Sequence, residues 1–237
     1  MKAMILAAGR GERMRPLTDH TPKPLLPVQG RALLDWHIAA LLRDGVAQVL
    51  VNTAWLGAHI PQHLDATWRG SPLQLRYSHE QDDFGHALET AGGIARALPQ
   101  LPPVFWLAAG DVFVPDFVFD PAAHAAFAAS ADLAHLWLVP NPAHHPQGDF
   151  GLAAGRALNL PADSPMPRYT YSTIGLFKAA LFSAPWCALA PGNPTGQAAP
   201  LAPLLRRAMD AGRVGASLYT GRWTDVGTPQ RWAELQQ

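Results

Sequence analysis

Strand-like and helix-like stretches alternate through the first half of this chain, which restricts it to a sheet crossed by helical connections. Residues 2–6, 48–53 and 104–109 are short apolar runs of buried-strand character. Between the first two, residues 33–44 set Leu34, Ile38, Leu41 and Leu42 on one helical face, and Gly45 follows as a stop. Residues 58–64 and 89–98 predict two more helices, and 73–78 another strand. The second half is less regular. Helices are expected at 122–129, 202–209 and 229–235, and strands at 133–139, 169–177 and 218–226. A hairpin over 150–160 should turn near Gly155, and the proline-rich stretches 141–146, 161–167 and 190–203 read as loops. About half of the 237 residues are apolar, enough for a sizeable core. The expected fold is α/β: a single Rossmann-like domain over 1–237 with a mixed, mostly parallel central sheet flanked by helices.

The first strand runs into Ala7-Ala8-Gly9-Arg10-Gly11-Glu12-Arg13-Met14-Arg15-Pro16-Leu17-Thr18, and Thr21-Pro22-Lys23-Pro24-Leu25 follows. Two glycines let backbone N–H groups approach an anion, and three arginines can grip its oxygens. Lys23, between two prolines, adds a compact cation on a stiff segment. The loop is therefore suited to a polyphosphate. It is not a P-loop, because no Gly-Lys-Ser/Thr closes it. Nor is it the dinucleotide fingerprint, whose third glycine is replaced by Met14.

Lys plus Arg and Asp plus Glu each number 18, so no global field favours nucleic acid. Positive charge gathers instead near the N-terminus, which points to a small anionic ligand. Cys187, the single cysteine, excludes an intrachain disulfide and reads as part of a packed apolar patch. The ten histidines, His144-His145 included, lack the repeated spacing of a zinc site. Neither a signal peptide nor a membrane span is expected, which predicts a soluble cytoplasmic protein.

Asp111 directly follows an apolar strand, at the end where open α/β sheets bind ligands. Asp225 lies late in an expected strand, within Trp223-Thr224-Asp225-Val226-Gly227-Thr228. Two hard oxygen donors beside a triphosphate loop would suit Mg²⁺, which takes one or two carboxylates plus phosphate oxygens and water.

The run from Leu6 to Thr18, together with Pro22-Lys23-Pro24-Leu25, resembles the opening of the sugar-1-phosphate nucleotidylyltransferases. That resemblance implies the joining of a nucleoside triphosphate to a sugar-1-phosphate, with release of pyrophosphate and Mg²⁺ held by Asp111 and Asp225. It implies that residues 1–115 bind the nucleotide and that the remainder binds the sugar and completes the metal site. Leu6, Ala7, Ala8, Gly9 and Gly11 would line the nucleotide, with Arg13 on its β and γ phosphates. Lys23 would contact the α-phosphate and the incoming sugar phosphate, so Arg13 and Lys23 are the expected catalytic residues.

Glu80, Thr90 and Gly92 would face the base, and Ala91, where a glycine is usual, would tighten that pocket. Asn52, Glu89, Gly151 and Thr173 would meet the sugar phosphate. Trp55 reads as core or lid packing, and residues 80–86 as a longer loop than usual. The Leu88-Glu89-Thr90 variant is similar to bacterial N-acetylmuramate-1-phosphate uridylyltransferases, which implies UTP as donor in peptidoglycan recycling. A mannose-1-phosphate guanylyltransferase is the near alternative, and a non-catalytic nucleotide-sugar sensor the distant one.

Overall fold

Side chains of β1 (Lys2–Ala7) alternate between two apolar layers: Ala3, Ile5 and Ala7 enter one, and Met4 enters the other. A strand buried on both faces belongs in the middle of a sheet, and β1 lies there. The computed structural model describes residues 1–236. After β1 come a small hairpin, β2 (Pro27–Val28) and β3 (Arg31–Ala32), then α1 (Leu33–Arg43), β4 (Gln48–Thr53), α2 (His59–Thr67) and β5 (Gln74–His79). Next are α3 (Glu80–Phe84), α4 (Glu89–Ala97), β6 (Val104–Ala109) and β7 (Val112–Phe113). The second half adds α5 (Pro121–Ala129), β8 (Ala134–Val139), β9 (Phe150–Ala153), β10 (Arg156–Leu158) and β11 (Arg168–Lys178). It closes with α6 (Ala202–Asp210), β12 (Val214–Leu218), β13 (Thr224–Asp225) and α7 (Pro229–Glu234).

Nine strands form one sheet in the order β5-β4-β1-β6-β11-β8-β12-β10-β9. Strands β5, β4, β1, β6, β8, β12 and β9 point one way, and only β11 and β10 oppose them. The sheet is thus mixed, as expected, but it is parallel throughout only in its β5-β4-β1-β6 half, because β11 and β10 run antiparallel to every neighbour. Helices α1, α2 and α5 cover one face through Leu34, Ile38, Leu41, Ile60, Leu64 and Phe127. Helices α4 and α6 cover the other through Ile94, Ala95, Leu204, Leu205 and Ala208. Each fully buried Leu or Ile contributes about 2 kcal/mol of burial free energy. Among the described residues no helix is long and apolar enough to cross a membrane. Cys187 is buried and unpaired.

Two expectations fail. The strand expected over 218–226 ends at its first residue, because β12 starts earlier, at Val214. Tyr219 still donates its N–H to Leu138 O at 2.7 Å, and the chain then turns away. Thr224 and Asp225 belong instead to a separate two-stranded ribbon with β7. Residues 80–86, expected as a loop, contain α3, which stops at Gly85 with φ +78°.

Strand β1 sits between β4 and β6, so successive crossovers leave it in opposite directions. The crevice at the carboxyl ends of such strands is where open α/β sheets hold ligands.

Candidate active site

A cleft of about 900 Å³ opens at those carboxyl ends. It is lined by Leu6, Ala7, Ala8, Gly9, Gly11 and Arg13 from the first loop, and by Lys23. Asn52, Glu80, Glu89, Thr90, Asp111 and Thr173 also reach it. Gly92, Gly151 and Asp225 do not.

Nothing lies within 4 Å of where a Gly9 Cβ would stand, so its backbone faces open space in the cleft. Gly11 takes φ +68°, a left-handed conformation that a glycine reaches without strain, and starts the turn Glu12–Met14. The three arginines divide their roles. Arg10 lies 3.7 Å over the Trp55 ring and donates to Thr18 O at 2.9 Å and Asp19 Oδ1 at 3.2 Å. Trp55 Nε1–H donates to the same Thr18 carbonyl at 2.9 Å, so Trp55 is a support for the loop. Arg15 pairs with Asp19 at 2.8 Å. Among the described residues Arg13 forms no ion pair, and it alone of the three lines the cleft. The expectation of three phosphate-gripping arginines narrows to one, because Asp19 of the same loop and the Trp55 ring beyond β4 engage the other two.

Lys23 Nζ stands 2.6 Å from Asp111 Oδ2, with the two side chains 10% and 42% exposed. Pro22 and Pro24 stiffen the short turn that carries the lysine. Asp111 follows Gly110, whose N–H donates to Leu6 O at 2.8 Å and ties the end of β6 to β1. Asp225 arrives by ladder pairing: it lies opposite Val112, and Val226 N–H donates to Asp111 O at 3.0 Å. The ribbon therefore brings Asp225, on β13, beside the turn that carries Asp111 just before β7. Asp225 also accepts from Arg231 Nη1 at 2.6 and 2.7 Å, and its Oδ1 lies 2.7 Å from His144 Nε2.

His37 on α1 secures this ribbon from beneath, with Nε2 2.9 Å from Val112 O. Burial pushes its imidazole down to about 4, so the folded protein holds it neutral. The unfolded chain takes up that proton below about 6.5. Stability from this group is therefore whole above about pH 6.5 and falls as the pH drops toward 4, by about 3 kcal/mol. Urea unfolding at pH 7 and pH 4.5 measures it: a His37→Asn variant should lose less stability on acidification than the parent. Equal losses would contradict the assignment.

At the other end of the cleft, Asn52 and Glu80 bond to each other at 2.6 Å, and neither side chain is appreciably exposed. Burial raises the Glu80 pKa, opposed by hydrogen bonds from Leu88 and Asn52. Glu89 and Thr173 hold φ values of +57° and +65°. Such conformations cost non-glycine residues about 1–3 kcal/mol each and collect at ligand sites. Both residues line this cleft.

Three expected contacts are displaced by packing. A Cβ on Gly92 would stand 2.6 Å from Gln197 O, and its N–H donates to Ala199 O at 3.1 Å. Gly92 thus accommodates a strap, residues 190–200, and not a base. Ala91 is fully buried in the core, so its methyl does not tighten the cleft. A Cβ on Gly151 would meet Leu160 at 2.5 Å, which makes that glycine a packing position as well.

A family model described as nucleotidyl transferase matches residues 2–157, the stretch that carries the loop, Lys23 and Asp111. The chain belongs to the nucleotidyl transferase family. This transferase is 43% identical to an N-acetylmuramate alpha-1-phosphate uridylyltransferase of Neisseria meningitidis serogroup B, over all of this chain and 97% of the relative. A protein of the same name from Caulobacter vibrioides is 31% identical over 96% of this chain and 92% of its own. The solved structure of the inositol-1-phosphate CTP transferase from T. maritima superposes with a TM-score of 0.74 at 16% identity, covering all of this chain and 96% of that one. That likeness concerns the fold.

Among the described residues of the transferase, no three His, Cys, Asp or Glu side chains form a group that could hold a metal ion. Asp111 at the cleft and Asp225 on the adjoining ribbon, the latter engaged by Arg231 and His144, are oxygen donors of the kind a hard divalent cation takes together with phosphate and water. The site also contains residues the sequence did not reveal as functional. Asp149 lines the cleft, accepts from Tyr171 N–H at 2.7 Å and pairs with His145 at 3.2 Å. Adjacent histidines thus each face a carboxylate, His144 at Asp225 and His145 at Asp149. The only signal for this was the doublet itself. Leu201 and, from the first turn of α6, Ala202 and Leu205 supply an apolar wall, and nothing in their composition marks them.

Proposed function

We propose that this transferase moves a uridylyl group from UTP to N-acetylmuramate-1-phosphate, giving UDP-N-acetylmuramate and pyrophosphate. The observation that carries the transfer chemistry is the pairing of Lys23 with Asp111 in a cleft that Arg13, in no ion pair among the described residues, also lines. A sugar phosphate oxygen attacks the α-phosphorus, and the bond to the β-phosphate oxygen breaks opposite it. The attacking oxygen is already ionised, so no general base is needed, and no covalent enzyme intermediate forms. Catalysis then consists of alignment and charge neutralisation. Lys23 lies where the two substrates' phosphates meet, and Arg13 offsets charge on the departing pyrophosphate. Asp111 and Asp225 would hold Mg²⁺, which would supply further neutralisation of that charge. Glu89, Thr173 and Asp149 offer acceptors and a hydroxyl to the sugar, and Thr90 faces the base.

The choice of UTP and N-acetylmuramate rests on the full-length relatives and on Leu88-Glu89-Thr90. On this reading the protein works in the cytoplasm, in recycling of peptidoglycan sugars. Pyrophosphate release from a panel of triphosphates and sugar-1-phosphates with Mg²⁺ tests it. UTP with N-acetylmuramate-1-phosphate should be the fastest pair. A faster reaction of GTP with mannose-1-phosphate would replace this substrate reading. No release with any pair would point to a sensor that binds a nucleotide sugar without making one.

A further inference from the structure

Three hydrogen bonds cross the floor of the cleft in series. Ala7 N–H donates to Asn52 Oδ1 at 2.8 Å, and Asn52 Nδ2–H donates to Glu80 Oε1 at 2.6 Å. Leu88 N–H donates to Glu80 Oε2 at 2.8 Å. The two ends are backbone amides, one where the phosphate loop begins and one just before Glu89 and Thr90. A backbone N–H can only donate, so the chemistry between these ends is determined. The first side chain must turn its carbonyl to Ala7, which leaves its NH₂ facing residue 80. Residue 80 then meets donors on both sides and must accept twice, which a carboxylate does and a carboxamide does not.

The relay is buried at the floor of the cleft. Glu80 is 0% and Asn52 2% exposed. Helix α4 packs directly on it, and a Cβ on Gly93 would stand 2.5 Å from Glu80 Oε1 and 3.0 Å from Asn52 Nδ2.

We infer that Asn52 and Glu80 are positioning residues that fix the distance between the phosphate loop and the base-facing start of α4, and so set the affinity for the nucleoside triphosphate. This rests on the reading above that a nucleotide spans those two segments. The carboxylate and the carboxamide act on each other and on the backbone, in place of the direct substrate contacts that the sequence suggests for them.

Exchanging the two groups tests the inference. Glu80→Gln turns an NH₂ toward one of two donors, and Asn52→Asp sets two carboxylates against each other. The double variant Asn52→Asp/Glu80→Gln satisfies every group again with the middle link reversed. The carboxylate at 52 accepts from Ala7 and from the new carboxamide, whose oxygen accepts from Leu88. UTP dissociation constants, KM and kcat for UTP, and the melting temperature of the ligand-free protein are measured on all four proteins. Each single variant should weaken UTP binding and raise KM about tenfold, the scale of one buried unsatisfied group, with a smaller change in kcat. The double variant should recover to within about threefold of the parent, with melting temperatures in the same order.

Additive losses in the double variant would overturn the relay. Recovery of melting temperature with UTP affinity unmoved in any variant would leave a structural strut and overturn the positioning role. A parent that binds no UTP would remove the proposed function, while the melting temperatures alone still show whether the relay couples. If a single variant fails to fold, a folded double variant reports the same coupling.

Discussion

Replacing Asp111 with asparagine lowers turnover by about a hundredfold to a thousandfold, while the protein stays folded. Asparagine keeps the shape of the side chain at a turn where it is 42% exposed, so packing changes little. What disappears is a full negative charge beside the Lys23 ammonium, where the proposed reading brings several phosphoryl groups together. An amide oxygen is a poorer donor to a hard divalent cation than a carboxylate, and it neutralises no charge. Lys23, with its side chain 10% exposed, also loses its ion-pair partner. Its Nζ can still reach the cleft, so the stability cost is small beside the kinetic one. Steady-state pyrophosphate release with a thermal melt on the same sample separates the two effects. Near-normal turnover in the folded variant would remove Asp111 from the metal site.

Lys23→Met is expected to lower kcat/KM by about a hundredfold or more, the scale of removing one preorganised charge from a reacting centre. Methionine fills a similar volume on the same stiff Pro22–Pro24 turn, which leaves the loop in place. Because Lys23 is proposed to touch both substrates' phosphates, the variant should impair UTP and sugar phosphate alike. Initial rates against each substrate in turn check this. A defect confined to the sugar phosphate would move Lys23 off the α-phosphate. Lys23→Arg should not restore activity, because a planar fork cannot occupy the point-charge position beside Asp111.

What the sequence made legible is what local chemistry determines. The apolar runs of β4 and β6 lie at the residues expected, and Gly11, Lys23 and Asp111 all reach the cleft. Each is specified by neighbours a few positions away. Gly92 was misjudged because the object filling its missing side chain is a carbonyl of residue 197, remote in sequence. Arg10 and Arg15 count as free positive charge in any composition, yet Trp55 and Asp19 engage them. The strand expected over 218–226 failed for a related reason. Val214-Gly215-Ala216-Ser217 is too rich in small residues to show apolar alternation, while Trp223 and Val226 flank the two-residue strand β13 and make it read as the end of a longer one. Glu80 looked like a ligand because a carboxylate beside a base pocket invites that role. Only the donors on both sides of it reveal its other use.

The strap over α4 has a consequence in time. Ala91 and Gly92 donate their N–H groups to Ala199 O, Ala199 N–H returns one to Leu88 O, and the Asn193 side chain reaches Gly92 O across 101 positions of sequence. Both ends of the cleft depend on long-range contacts, since Gly110 N–H donates to Leu6 O across a similar span of chain. What separates them is order of synthesis: residues 6–111, with the loop, Lys23 and Asp111, leave the ribosome before the strap at 190–200 that pins the start of α4. On the proposed reading, the phosphate end is completed before the end that faces the base.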